Sequence, residues 1–191
     1  MIQQEEGTTS LKGHFLISMP NLSDPNFSST VTCICVHNHE GAFGIVINRT
    51  LPGGTLRDVF KELGLPAVPE TADHPVHIGG PVHPGHVFVL HGLPFTWDAT
   101  IPVTDTIAMT NSPDILEAIA GGFGPRRFLV VLGCAGWGPG QLECEIVENS
   151  WLTCPASDDI LFSAPLSDRW DRAARSLGID PRLLSENSGH A

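Results

Sequence analysis

Basic side chains are scarce in this chain. Ten lysines and arginines stand against 21 acids, giving a net charge of −11. Nonspecific affinity for DNA comes mainly from Lys and Arg neutralising phosphates, so this balance opposes direct nucleic-acid contact. The five cysteines (Cys33, Cys35, Cys134, Cys144, Cys154) include no CxxC pair. Such an odd set is expected to be free thiols in a reducing compartment, most of them serving as small core hydrophobes. No run approaches the roughly 18 apolar residues that span a bilayer. The acidic start Met1-Ile2-Gln3-Gln4-Glu5-Glu6 is unlike the basic opening of a signal peptide. A cytoplasmic protein without a membrane segment is therefore expected. Dinucleotide-binding, P-loop, HExxH, GxSxG, kinase, EF-hand and zinc-finger patterns are all missing, so no familiar reaction is announced.

What is present suffices for one sizeable core: 191 residues, 41% hydrophobic and 16% charged. Residues 1–10 are expected to be a flexible leader, and 11–191 a single domain. Strands are predicted at His14–Met19, Thr30–His37 and Ala42–Asn48, the last two joined as an antiparallel hairpin through Asn38–Gly41. Their apolar residues are nearly continuous, which requires cover on both faces. Thr55 caps a helix to Leu63; Ser112 caps another, with Pro113 at its first position and a stop at Gly121-Gly122. Short strands are predicted at Val76–Ile78, Val87–His91 and Thr106–Met109, and a central strand at Arg127–Gly133. A helix from Gln141 to Asn149, a strand at Trp151–Cys154 and a helix from Leu166 to Leu177 complete the pattern. Strands outnumber helices without βαβ alternation, which favours an α+β class with a mixed sheet.

Three groups of residues carry chemical possibilities. The stretch Gly133-Cys134-Ala135-Gly136-Trp137-Gly138-Pro139-Gly140 follows an apolar run and precedes a helix. It is read as a strained strand-to-helix turn at which backbone passes close to something else. Its N–H groups could face an anion, but Glu143 and Glu145 already satisfy the helix dipole and would repel phosphate. Cys33, Cys35 and His37 alternate onto one strand face, so His37 could lower the Cys35 pKa; a packed strand that buries the thiol is the favoured reading. His74, His77, His83, His86 and His91 crowd one segment, yet they lack the pattern of a metal site and are read as loop histidines. The one candidate basic patch is Arg169, Arg172 and Arg175 along a helix flank. The favoured reading is a solvated helix face paired with Asp168 and Asp171.

Taken together, the motifs resemble the YqgE/AlgH family, also called UPF0301 or DUF179. They are His14-Phe15-Leu16-Ile17-Ser18-Met19-Pro20; Asp24-Pro25-x-Phe27; Cys35 through Asn48; Gly79-Gly80-Pro81; and Phe88-Val89-Leu90-His91. Leu132-Gly133-x-Ala135-Gly136-Trp137-x-x-Gly140-Gln141-Leu142-Glu143, Asn149-x-Trp151-Leu152, Trp170-x-x-Ala173 and Gly189-His190-Ala191 follow. Cys134 stands where the family usually has Tyr, and Val36 where Glu commonly precedes the His-Asn pair, which weakens acid–base chemistry at His37. The resemblance implies a single α+β domain with a complex, partly barrel-like sheet surrounded by helices. It implies no established reaction, although some members carry a label as transcriptional regulators.

The reading adopted is a non-enzymatic binding or regulatory protein that acts on a protein partner or small ligand, with a pocket near Gly133–Glu143. The alternative is a thiol-dependent enzyme or redox sensor using Cys35 with His37 or His91; a direct DNA-binding regulator ranks last. Candidate catalytic residues are thus Cys35, His37 and His91. Candidate binding residues are Asn38, Asn48, Gly79, Gly80, Gly133, Trp137, Gln141 and Glu143. No cofactor and no metal is expected.

Overall fold

The computed structural model describes residues 10–186; the rest of the expected leader and the Gly189-His190-Ala191 motif lie outside the described residues. Among the described residues ten strands are formed: β1 His14–Ser18, β2 Val31–Asn38, β3 Gly41–Val46, β4 Thr50–Thr55, β5 Pro75–Ile78, β6 Val82–His91, β7 Ile101–Pro102, β8 Ala108–Thr110, β9 Phe128–Trp137 and β10 Trp151–Pro155. The helices are α1 Leu56–Glu62, α2 Pro69–Ala72, α3 Pro113–Ala120, α4 Gln141–Val147, α5 Arg169–Ser176 and α6 Pro181–Glu186. A π-helical turn (Asp159–Ser163) and a 3-10 turn (Leu166–Asp168) precede α5. Among the described residues no helix is long and apolar enough to cross a membrane.

The sheet runs β10-β1-β2-β3-β9-β6-β8-β7, with β4 on β5 and β5 beside β9. Every pair is antiparallel except β5 with β9. The sheet stays open, which corrects the expected partly barrel-like closure: β10 pairs only with β1, and β7 only with β8. Chain that follows β10 ties back toward β8 instead. Asp158 accepts a hydrogen bond from Thr106 Oγ1 at 2.6 Å and an ion pair from Arg127 at 2.7 Å. The π-helical turn and α5 then add Ile160, Leu161 and Ala173 to the main core, beside Phe15, Cys33, Ile45, Leu90 and Val131.

Both faces are covered, as the near-continuous apolar strands require. α1 and α3 pack Phe60, Ile115 and Ile119 on Val76, Val89 and Val130. α4 packs Leu142 on Leu16, Ile34 and Ala135. Capping follows the predicted signals: Asp58 Oδ2 receives the Thr55 N–H at 3.1 Å, closing a capping box on α1.

Two local readings change. β9 extends to Trp137, so the strand-to-helix turn is only Gly138-Pro139-Gly140, with Gly140 left-handed at φ 73°. The β2–β3 hairpin closes through a two-residue turn, since Asn38 pairs directly with Gly41. β4, β7, α2 and α6 carry no strong period and escape the sequence reading.

Candidate functional site

The glycines mark a crossing of the chain over itself. After β5 the backbone passes over β9, so that β5 and β6 flank that strand. Gly79 N–H donates to Leu132 O at 2.8 Å, and Val46 N–H donates to Gly79 O at 2.9 Å. A Cβ on Gly79 would run into the Gly133 carbonyl, and one on Gly80 into the Cys134 carbonyl. Gly79, Gly80 and Gly133 are therefore the contact between two backbone segments, which is the close approach their composition announced. Asn38 and Asn48 also serve the chain itself. Asn38 Oδ1 accepts the Glu40 N–H, while Asn48 accepts from Val31 N–H and donates to Ser29 O, each at 2.8 Å.

Trp137, at the end of β9, and Gln141, on α4, meet through Glu145, and Glu143 lies on the same helix. Glu145 Oε2 accepts the indole N–H of Trp137 at 2.9 Å and that of Trp151 at 2.8 Å, and its Oε1 accepts Gln141 Nε2 at 2.8 Å. The acceptor of the Trp137 indole is thus a side-chain carboxylate and not a backbone carbonyl. Gln141 Oε1 in turn receives the Gly138 N–H at 3.0 Å, locking the turn. His37 joins the same side. Leu11 N–H donates to Nδ1 at 2.9 Å, so the ring hydrogen sits on Nε2 and points to Glu143 Oε1 at 2.8 Å. This cluster is a polar staple between α4 and the sheet.

The structure separates Cys35 from His37, correcting their placement on one face. A β-bulge between Ile34 and Val36 leaves Cys35 unpaired across the hairpin and resets the alternation. Cys35 enters the main core with Cys33 and Cys134, whereas His37 lies opposite Ala42 on the α4 side. Cys35 is fully buried, with its S–H directed to Cys33 O at 3.6 Å. The Cys33 contact and burial push its thiol well above the usual range. His91 gives no help: its ring nitrogens meet Gly92 O and Thr110 Oγ1, both at 2.8 Å, and burial lowers its pKa. Of the five thiols Cys144 alone is exposed. Alkylation followed by mass spectrometry is expected to label Cys144 in the native chain and the other four only on unfolding. Native labelling of Cys35 at a rate comparable to Cys144 would reverse this reading.

Cavities of about 510, 490 and 270 Å³ are lined by segments other than Gly133–Glu143. The smallest of these three carries the most unusual chemistry. It lies between β5, β9 and the entry to α5, with His77, Phe128, Leu129, Phe162, Leu166 and Arg169 on its wall. Arg169 is only 5% exposed, so the basic flank anticipated with Arg172 and Arg175 does not form. Arg172 pairs with Asp159 at 3.1 Å rather than with Asp168 or Asp171. Arg169 donates to two carbonyls, from Nε to Ala164 O at 3.2 Å and from Nη1 to Ile47 O. Among the described residues it has no carboxylate partner. Burial lowers its pKa to about 10, which leaves it charged at neutral pH. His77, 7% exposed, has an Nδ1 that is buried without a hydrogen-bond partner. Burial, then the Arg169 charge, lowers the His77 pKa to about 4, so its ring is neutral at pH 7.

The sequence reading placed neither residue in a site. One signal was available: Arg169 lies four residues before Ala173, on the stripe that α5 turns inward. A charge in such a stripe is either paired or functional.

A profile of the AlgH-like family matches residues 15–182. A UPF0301 protein of Desulforapulum autotrophicum is 48% identical over 181 residues, covering 95% of this chain and 96% of that one. A UPF0301 protein of Rhodospirillum rubrum is 46% identical over 191 residues, covering 100% and 98%. The solution structure of the AlgH protein from Pseudomonas aeruginosa superposes with a TM-score of 0.77 at 44% identity, over the whole of both chains. A crystal structure of a Corynebacterium diphtheriae protein shares the fold at a TM-score of 0.70 and 24% identity, covering 94% and 92%.

Proposed function

This chain belongs to the AlgH-like family, and we propose that it is a non-enzymatic ligand-binding protein with a regulatory role, exerted through a protein partner. The observation that carries this reading is the Arg169 guanidinium, buried on a cavity wall with only carbonyl partners. Desolvating a cation costs several kcal/mol unless a counter-charge restores it. A cation held by the chain's own carbonyls, beside an open volume, is prepared for a counter-charge that arrives with a ligand. Its bonds reach both β3's end and the entry to α5, so an occupant there would stiffen the join between helix and sheet. Such stiffening is a signal that a partner could read. The net charge of −11 argues against DNA as that partner.

The test is retention of small molecules from a cell extract by the immobilised full chain, read by mass spectrometry. Leu166→Trp, at a half-buried position on the wall that this cavity shares with the one of about 490 Å³, is expected to narrow the cavity while leaving Arg169 in place. Molecules retained unchanged by the parent and lost with Leu166→Trp are expected. Identical sets retained by both proteins, or retained molecules chemically converted, would overturn the reading.

A further inference from the structure

The chemistry of the cavity wall restricts what can occupy it. We propose that the cavity between β5, β9 and α5 takes a small organic monocarboxylate, its carboxylate on the Arg169 guanidinium and its apolar body against Phe128, Leu129 and Phe162. The proposal rests on the ligand-binding reading above and adds the ligand's chemical class.

Charge comes first. Arg169 is the one cationic group on the wall. Two imidazoles share the wall, His77 buried beside it and His74 with its ring 5.4 Å from the Phe128 ring, while Arg127, 5.2 Å from the Phe162 ring, is already paired with Asp158. One guanidinium balances one negative charge. A phosphate dianion would leave its second charge unpaired against apolar walls, in a chain that is already strongly acidic. Geometry points the same way. The Nε and Nη1 donors are spent on Ala164 O and Ile47 O, while Nη2 has no partner among the described residues. The planar fork suits a planar carboxylate, and a charge-assisted bond there would be strong.

Size and polarity complete the argument. About 270 Å³ lies just under the roughly 300 Å³ at which pockets for drug-sized ligands begin, so the occupant is small. Beyond the cation the wall is mainly rings and aliphatic groups, which suits an apolar or aromatic body.

The experiment is isothermal titration of the full chain with four probes: benzoate, benzyl alcohol as its uncharged counterpart, phenyl phosphate, and inorganic phosphate. Benzoate is expected to bind, with the other three at least about tenfold weaker, as loss or overload of a charged hydrogen bond implies. Arg169→Lys keeps the charge but not the fork, and is expected to weaken benzoate at least about tenfold. Because Arg169 also anchors α5, Leu166→Trp is the companion variant: benzoate binding should vanish in a protein that melts like the parent. Phenyl phosphate binding as tightly as benzoate would overturn the carboxylate class and leave the ligand-binding reading standing. Benzoate binding unaffected by either variant, or absent from the parent, would overturn the proposal. The ligand-binding reading itself stands or falls with the extract experiment.

Discussion

Trp137→Ala is expected to lower stability by about 3–5 kcal/mol, the range for removing a large buried aromatic, read from a denaturant melt at neutral pH. Trp137 is 6% exposed at the end of β9, where Phe27 and Trp151 pack on it with ring centroids 6.0 and 6.1 Å away. Truncation removes those contacts and leaves a cavity under α4 that neighbouring rings fill only in part. It also takes one of three donors from Glu145, whose carboxylate is only partly exposed. Trp137→Phe separates the two effects, since it keeps most of the ring and deletes the N–H. Its cost should fall nearer about 1.5–3 kcal/mol, the scale of a hydrogen bond to a charged group. A Trp137→Ala protein melting like the parent would show that α4 is held by other contacts and would release Trp137 for a role at the surface.

The contrast between Trp137 and Arg169 shows what a linear pattern can reveal. Apolar runs, Thr55 and Ser112 as caps, and Gly121 as a stop are local signals, and the strands and helices they announce are present. The glycine-rich stretch was equally legible as a close approach, though not as to its counterpart. Gly133 meets Gly80 through a crossing of segments more than fifty residues apart, which no local window contains. The Cys35–His37 pairing failed for a related reason. Alternation holds along an unbroken strand, and one bulged residue reverses it for all that follows. Arg169 was hidden by its class. Spacing by three with Arg172 and Arg175 suggests a solvated flank, whereas the buried stripe of α5 runs through Arg169 and Ala173. Barrel closure depends on how edge strands meet, and the path from β10 into α5 that fills this opening has no simple period.

Val46→Asp is expected to destabilise the chain by about 3–5 kcal/mol at pH 7, the cost of an uncompensated buried charge. Val46 ends β3 fully buried, and its N–H holds the Gly79 carbonyl at the chain crossing. Arg49 is a nearby cation, since it lines a small cavity together with Val46. Its guanidinium is committed to the carbonyls of Pro25, Asn26 and Ser28 at 2.8–3.0 Å, and capturing it would undo all three bonds. The introduced carboxyl is therefore expected to remain unpaired, with a folded-state pKa raised by burial. The sign with pH follows. The folded state then binds the proton more tightly than the unfolded chain, whose value is about 3.9. The deficit relative to the parent should shrink as pH falls from 7 toward 4, and grow as pH rises through the folded value. If Arg49 turned to pair with the new carboxylate, the folded pKa would be depressed and acidification would widen the deficit. Melts of both proteins at pH 7 and pH 4.5 distinguish the two. A small deficit that widens on acidification would mean that the Arg49 loop yields more readily than its three carbonyl bonds indicate.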